Sequence, residues 1–335
     1  MEFRVLFLVL PSFIIVSCAL IYILFIELHA IFLGIIFSII SIFIGLTLFK
    51  EGFHSYTSHF EDISKNTVDI EKVEITFEDG VKSVGLFYRL ISETISTPNG
   101  RRYSESRPTI IIFHGYWNKK ESNERILLPF AQMGYVAFSF DQRGHGEAGG
   151  KKNEWYKRFN DIDTVLNLVC SYKDVRNGSL CCIGTSMGGT SVLTKCYQDD
   201  RVAMVVALSA LHDIKILMES KFPFLSQGWF VKKMISKVKN ERAMKITAHY
   251  FIKKDPNFNK NRVYLIHAKN DKIFPPSLTF NLNKKQAGIP EKQAILLDNC
   301  GHSLDGQESL IFGIITKWIL QNESMKLKEN PKKIF

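Results

Sequence analysis

A serine flanked by glycines lies near the middle of the chain, where its hydroxyl could act as a nucleophile. Ser186 is the third residue of the run Gly-Thr-Ser-Met-Gly-Gly at 184–189. The apolar residues 180–184 before it are typical of a buried strand, and residues 187–197 favour a helix. A sharp strand-to-helix turn would hold the hydroxyl out at the sheet edge, ready to attack a carbonyl carbon. The alternative is an ordinary turn in which Ser186 caps the helix.

A serine hydroxyl needs a base to take its proton and a carboxylate to orient that base. His302 follows the last predicted strand, 294–297, in a loop that Gly301 allows to turn tightly. Asp271 follows the strand predicted at 263–268 and precedes the histidine in the chain. We predict His302 as the base and Asp271 as the carboxylate. Three other carboxylates are alternatives to Asp271: Asp213, Asp298 and Asp305.

Two backbone N–H groups could stabilise the negative charge that develops on the attacked carbonyl oxygen. Met187 opens the helix after the serine, where free N–H groups and the helix dipole favour negative charge. Tyr116 lies in the turn 114–117, which follows a strand predicted at 109–113. We predict the amides of Tyr116 and Met187 as the oxyanion hole. His114, in the same turn, is predicted to be structural.

A second polar turn, Asp-Gln-Arg-Gly-His-Gly at 141–146, follows the strand predicted at 136–140. Asp141 and His145 could suggest a metal or phosphate loop, but one carboxylate and one imidazole make a poor ligand set. We predict a structural turn anchored by Arg143. The sequence therefore predicts no metal site and no cofactor.

Strand and helix patterns alternate from residue 70 to residue 323, which favours a mostly parallel sheet with helices on both faces. A hairpin is predicted first, at 73–77 and 81–90, followed by a polar loop at 91–108. A further strand is predicted at 202–209. Helices are predicted at 122–133, 159–172, 276–286 and 304–320. Residues 211–261 interrupt the alternation, and we expect this helical insertion to be a lid.

The N-terminal 50 residues contain two apolar runs, 5–26 and 30–49. Each approaches the roughly 20 residues that a helix needs to cross a bilayer. We expect a transmembrane hairpin at 1–50 and a linker at 51–69. Arg4 and Lys50 flank the hairpin, which favours a cytoplasmic catalytic domain on a cell inner membrane. The alternative is a buried hairpin of a soluble protein.

The chain is basic, with 43 Lys and Arg residues against 33 Asp and Glu residues and a formal net charge of +10. No zinc-finger spacing or RNA-binding aromatic motif accompanies the charge, so no nucleic-acid partner is predicted. Residues 213–262 contain 12 basic and 4 acidic residues, which gives this segment a formal charge of +8. A solvated surface and a contact with anionic lipid are equal alternatives for this segment. A basic tail is predicted at 324–335, and the cysteines are predicted to be free thiols.

Residues 73–320 resemble the α/β-hydrolase superfamily. Five landmarks fall in the order found there: the His114 turn, the turn at 141–146, Ser186, the Asp271 loop and His302. Among subfamilies the chain looks like the monoacylglycerol-lipase and serine-aminopeptidase-like group, whose members often carry the Asp-x-Arg-Gly-His-Gly turn. The resemblance implies an eight-stranded sheet, an acyl-enzyme mechanism and no cofactor. The N-terminal hairpin departs from the family pattern, and so does Glu147, which stands where a small residue is usual.

We therefore expect a membrane-anchored serine hydrolase that cleaves carboxylic esters. Its expected partners are a small-molecule or lipid-like acyl substrate and the membrane itself. A serine aminopeptidase or an acyl-thioesterase would use the same three residues. A membrane-tethered scaffold without activity is the alternative from another class.

Overall fold

The computed structural model describes residues 14–17, 37–45, 66–221 and 247–327. The chain divides into two compact units, Met1–Ile63 and Ser64–Phe335. In the first unit, residues 14–17 and 37–45 are helical. Most of the two membrane spans predicted at 5–26 and 30–49 lies outside the described residues. Within the described ranges, no helix combines the length and apolar character that crossing a membrane requires.

The second unit alternates strands and helices, as the sequence predicts. The strands are β1 (Val68–Thr76), β2 (Lys82–Leu90), β3 (Thr94–Thr97), β4 (Gly100–Tyr103), β5 (Arg107–Phe113), β6 (Val136–Phe140), β7 (Val175–Thr185), β8 (Val202–Leu208), β9 (Val263–Ala268) and β10 (Ala294–Leu297). The α-helices are α1 (Glu124–Gln132), α2 (Trp155–Ser171), α3 (Met187–Ser191), α4 (Ile214–Lys221), α5 (Ala248–Phe251), α6 (Pro256–Asn259), α7 (Phe280–Ala287) and α8 (Glu308–Gln321). Short 3₁₀ turns lie at Ile91–Glu93, Lys120–Asn123, Pro276–Leu278, Glu291–Gln293 and Glu323–Met325, and a π-helical turn, Val192–Cys196, follows α3.

Eight strands form one sheet in the order β1-β2-β6-β5-β7-β8-β9-β10. The pairs β1–β2 and β2–β6 are antiparallel, and every pair from β6 to β10 is parallel. The predicted fold, a mostly parallel sheet of eight strands flanked by helices, is confirmed. Because the strands from β6 to β10 run in one direction, their carboxyl ends meet at one edge of the sheet.

Both faces of the sheet are buried, which explains the continuous apolar runs of its central strands. Successive side chains of a strand point to opposite faces. On β5, Ile111 packs in a cluster with residues of α2, whereas Ile110 packs in a second cluster with residues of α1 and α8. Cys182 and Cys181 divide between the same two clusters, and both are free thiols.

The polar loop predicted at 91–108 is wrong, because β3 and β4 form a separate two-stranded ribbon there. Side chains of this ribbon lie mostly at the surface, so no apolar periodicity reveals it in the sequence. Arg102 of β4 forms an ion pair with Glu71 of β1 at 2.7 Å. Strand β1 itself begins at Val68, within the predicted linker, and pairs with β2 along its full length.

Two further boundaries differ from the sequence prediction. Helices α5 and α6 fall within the predicted lid, but Ala248 and Ile252 are buried in the core of the unit. Residues 222–246, the middle of the predicted lid, lie outside the described residues. The predicted tail at 324–335 starts too early, because Met325 is fully buried against the sheet's second cluster.

Candidate active site

The turn between β7 and α3 holds Ser186 in an unusual backbone conformation. Its φ is 55° and its ψ is −109°, a region that residues with a Cβ rarely adopt. The Ser186 amide donates to the carbonyl of Leu208 at 2.8 Å, and its carbonyl accepts from the amide of Thr190 at 2.9 Å. These bonds to β8 and to the helix fix the strained residue in place.

The glycines around Ser186 are required by the close approach of neighbouring backbone. A Cβ on Gly184 would lie 2.2 Å from the carbonyl oxygen of Gly188. On Gly188 it would lie 2.0 Å from the carbonyl oxygen of Phe113. The Gly-x-Ser-x-Gly pattern therefore reflects a turn packed tightly against β5.

The structure brings Ser186, His302 and Asp271 together in one chain of hydrogen bonds. The Nε2 atom of His302 lies 2.8 Å from the Ser186 Oγ, and its Nδ1 lies 2.7 Å from the Asp271 Oδ2. The three residues follow β7, β10 and β9, so all stand at the carboxyl edge of the sheet. An ionised carboxylate only accepts, so Nδ1 of a neutral His302 carries the proton and Nε2 accepts from the serine hydroxyl.

The carboxylate of Asp271 is completely buried and surrounded by donors. Its Oδ1 accepts from the amides of Ile273 and Phe274, each at 2.8 Å. Burial of the carboxylate opposes its ionisation, but the hydrogen bonds from His267, His302 and the Phe274 amide outweigh that effect. Together they lower the pKa of Asp271 below its usual value. The carboxylate is therefore ionised at neutral pH, as an acceptor for the histidine must be.

A second histidine, His267, contacts this carboxylate and is not among the residues predicted from the sequence. Its Nε2 lies 3.1 Å from the Asp271 Oδ2 and 2.8 Å from the Phe274 carbonyl oxygen. Because both neighbours are acceptors, Nε2 carries a proton. The side chain is buried at the end of β9. A histidine four residues before the candidate carboxylate was the available signal in the sequence.

The turn after β5 passes directly beside Ser186. A Cβ placed on Gly115 would lie 3.9 Å from the Cβ of Ser186. The Met187 amide is the first of α3, and the first four amides of a helix have no acceptor within it. Among the described turns and loops, neither this amide nor that of Tyr116 donates to another backbone group. Both predicted oxyanion donors thus lie in segments next to the nucleophile.

His114 is bonded within the backbone and does not contact Ser186. Its Nδ1 donates to the carbonyl of Gly115 at 2.8 Å, and its Nε2 accepts from the amide of Gln142 at 2.9 Å. Burial lowers the pKa of His114 to about 4. The neutral imidazole therefore hydrogen-bonds to both turns, the one that follows β5 and the one that follows β6.

The turn at 141–146 is anchored by Arg143. This buried guanidinium bonds the carboxylate of Asp161 at 2.8 and 2.7 Å and that of Asp79 at 3.0 and 2.8 Å. The arginine thereby links α2 to the β1–β2 hairpin. Within the described residues no group of three potential ligands could hold a metal ion.

Glu147, the departure from the family pattern, supplies a carboxylate to two lysines. It lies 2.7 Å from the Nζ of Lys120 and 2.6 Å from the Nζ of Lys72. The Lys120 ammonium also contacts the buried Asp141 carboxylate at 2.8 Å. Hydrogen bonds from Lys120 and Lys72 lower the pKa of Glu147 to about 2.

The three alternative carboxylates, Asp213, Asp298 and Asp305, are not hydrogen-bonded to His302 among the described contacts. Asp213 accepts from the amide of Lys215 at 2.8 Å, at the start of α4. Asp298 forms a surface ion pair with Lys269 at 3.1 Å. Burial raises the pKa of Asp305. Among the described hydrogen bonds, His302 pairs with Asp271 and with none of these three.

Comparisons with known proteins find similarity in part of the sequence and in the fold. A family model described as "Serine aminopeptidase, S33" matches residues 104–262, a segment that includes Ser186 and ends before Asp271. The acetyl xylan esterase from Paenibacillus sp. R4 superposes with a TM-score of 0.54 at 20% identity, over 76% of this chain and 86% of that chain. The chain therefore has the α/β-hydrolase fold.

Two further structures are similar to this chain at comparable TM-scores. Est1E from Butyrivibrio proteoclasticus, solved with ferulic acid bound, has a TM-score of 0.56 at 17% identity, over 75% of this chain and 98% of that chain. A prolyl endopeptidase has a TM-score of 0.57 at 18% identity, over 79% of this chain and 40% of that chain. At these identities the likeness shows the fold, which is shared by enzymes that act on different bonds.

A curated Escherichia coli protein, described as an uncharacterized 31.7 kDa protein in the traX-finO intergenic region, is 29% identical to this chain over 160 residues. The match covers 45% of this chain and 54% of the relative, so the chain spans about half the length of the curated relatives it matches.

Proposed function

We propose that this protein is an α/β-hydrolase whose serine cleaves carboxylic esters through an acyl-enzyme intermediate. The observation that carries the proposal is the unbroken chain of hydrogen bonds from Ser186 through His302 to Asp271. A serine held in this geometry has a base in contact with its hydroxyl and a buried carboxylate behind the base. The strained backbone of Ser186 is typical of a nucleophile presented at a sheet edge.

The reaction follows from these contacts. The Ser186 oxygen attacks the ester carbonyl carbon while its proton passes to Nε2 of His302, and the carbonyl oxygen becomes an oxyanion. The amides of Tyr116 and Met187 donate to that oxyanion. When the carbon–oxygen bond of the ester breaks, His302 returns the proton to the departing alcohol. Water then attacks the acyl-enzyme by the same route, which releases the acid and restores the serine.

Labelling with a fluorophosphonate probe tests the mechanism. The wild-type protein should become covalently labelled and hydrolyse 4-nitrophenyl butanoate, while Ser186→Ala should do neither. Ser171→Ala is the matched control, because it removes a hydroxyl from the exposed end of α2. Equal labelling of the wild type and Ser186→Ala would contradict the proposal and favour a scaffold without activity.

We further propose that the enzyme is held at a membrane and acts on lipid-like esters. The apolar runs 5–26 and 30–49 support the membrane anchor. In the described helix 37–45, Phe37, Ile39 and Ile42 are 60–63% exposed, which is unfavourable in water. Alkaline carbonate extraction of cell membranes should leave the full-length protein in the pellet. Quantitative release into the supernatant would contradict an integral anchor.

A peptidase or thioesterase with the same three residues is the second candidate. The matched family's description as a serine aminopeptidase favours this possibility for residues 104–262. Matched acyl esters, thioesters and amides with the same acyl group distinguish the activities by their kcat/KM values. Faster cleavage of aminoacyl amides than of esters would replace ester hydrolysis as the proposed activity.

A further inference from the structure

A buried arginine near the predicted oxyanion hole lacks a carboxylate partner. Arg158 lies in the first turn of α2 and is 5% exposed. Its Nη2 donates to the carbonyl of Lys152 at 2.5 Å, but its buried Nε has no hydrogen-bond partner. Across the described residues, no ion pair is formed by this guanidinium, although buried cations are normally paired.

The nearest carboxylate on the same helix is already engaged. Asp161 follows Arg158 by one turn, and both of its oxygens accept from Arg143, at 2.8 and 2.7 Å. Burial therefore dominates at Arg158 and lowers its pKa to about 10, so the group stays charged at neutral pH. The site holds a full positive charge with one unsatisfied N–H donor.

This charge lies beside the residues predicted to hold the oxyanion. The Nη1 of Arg158 contacts the thioether sulfur of Met187, the residue that follows the nucleophile. The ammonium of Lys152 lies 5.5 Å from the ring centre of Tyr116 and 5.6 Å from that of Trp117. Because the Trp117 side chain is 84% exposed, the Lys152 end of this pair of cations is open to solvent.

We propose that Arg158, with Lys152 at the rim, binds an oxyanionic group of the substrate, a carboxylate or a phosphate carried near the reacting ester. A guanidinium presents a fork of N–H donors that matches either group, and the orphaned Nε supplies one of them. A substrate carboxylate or phosphate bound there would offset the free-energy cost of burying the Arg158 charge. The proposal rests on the proposed ester hydrolysis and names the substrate class of the same site. Arg158 acts in it as a specificity-determining residue.

Pairs of esters that differ only in charge test the proposal. The first pair is the 4-nitrophenyl monoester of adipic acid and its carboxamide, with the charge on the acyl side. The second is 4-(butanoyloxy)benzoate and 4-(butanoyloxy)benzamide, with the charge on the leaving group. The wild type should prefer the anionic member of at least one pair by about tenfold in kcat/KM. The phosphonate analogue of that member then distinguishes a phosphate site from a carboxylate site.

Substitution of Arg158 separates recognition of the anion from support of the fold. In Arg158→Gln, kcat/KM for the anionic ester should fall about tenfold, while that for the neutral ester stays within about twofold. Arg158→Lys should keep part of the preference. Lys157→Gln is the matched control, because it removes a charge at the next position, where the side chain pairs with Asp79. The Lys157→Gln protein should keep the wild-type preference for the anionic ester.

Two results would overturn the inference and leave ester hydrolysis standing. One is a wild type that cleaves neutral and anionic esters equally well. The other is an Arg158→Gln protein that loses the same factor on both members of a pair, since that result indicates a structural arginine. If Arg158→Gln does not fold, the wild-type comparison and a Lys152→Gln variant decide the question. If the wild type cleaves none of the esters and the fluorophosphonate probe does not label it, the proposed function itself is rejected.

Discussion

The Nε2 atom of His267 lies 3.1 Å from the same Asp271 oxygen that pairs with His302. One carboxylate oxygen therefore stands between two imidazoles, one facing the nucleophile and one buried behind it. The His267 proton is shared with the Phe274 carbonyl at 2.8 Å, so this contact also closes the loop that carries Asp271. His267 is placed as a positioning residue that acts on the reaction through the carboxylate.

Replacing His267 by leucine should remove this donor and raise the pKa of Asp271. We expect kcat to fall about tenfold with little change in KM, because one hydrogen bond to a charged group is lost. Initial rates with an activated ester, measured from limiting to saturating concentrations, separate the change in kcat from the change in KM. His267→Gln, which keeps an N–H donor, should restore most of the rate, and equal losses in both variants would contradict a positioning role.

Two glycines, one beside the nucleophile and one on the surface of α8, predict opposite effects of substitution by alanine. Gly188→Ala would place a Cβ 2.0 Å from the Phe113 carbonyl oxygen, so we expect a loss of about 1–3 kcal/mol in the free energy of unfolding. Gly313 lies on the exposed face of α8 with nothing within 4 Å of the added carbon. Gly313→Ala should stabilise the protein by about 0.5–1 kcal/mol. Urea unfolding compares the two, and a stable, active Gly188→Ala protein would show that the turn has room.

The three residues of the hydrogen-bonded chain could be located from the sequence because each follows a strongly apolar strand. Ser186 is marked by its glycines, while Asp271 and His302 follow from the order of strands and loops. The parallel sheet could be predicted for the same reason, since strands buried on both faces have continuous apolar runs. These features are local or follow the order of elements along the chain.

His267 and Arg158 could not be assigned because their roles depend on distances that no local pattern encodes. The turn after β9 folds back so that His267 meets a carboxylate four residues later. The partner that Arg158 lacks is taken by Arg143, a residue from another loop. The β3–β4 ribbon could not be predicted for a different reason, because its side chains are mostly exposed or half-buried and show no apolar alternation.

Arg89 and Asp174 form a completely buried ion pair at 2.7 Å. Removing one charge of such a pair leaves the other without compensation, so Asp174→Asn should cost about 3–5 kcal/mol of unfolding free energy. Glu74→Gln is the control, because its pair with Lys82 is exposed and 3.8 Å long. The control should change stability by about 0.5 kcal/mol or less. A small loss in Asp174→Asn would mean that Glu71, 2.9 Å from Arg89, compensates the charge.

The carboxylate of Glu147 should make the free energy of unfolding depend on pH in the acidic range. Its pKa is lowered from 4.5 to about 2 by Lys120 and Lys72, so the folded state favours the ionised form more than the unfolded chain does. Such a group stabilises the fold fully above pH 4.5, and its contribution is lost as the pH falls toward 2. In Glu147→Gln the decline of the unfolding free energy between pH 5 and pH 3 should therefore be shallower than in the wild type. Urea midpoints measured across that range check the slope, with Glu74→Gln expected to follow the wild type. If the unfolding free energy of Glu147→Gln falls with pH as steeply as that of the wild type, solvent screens both lysine contacts.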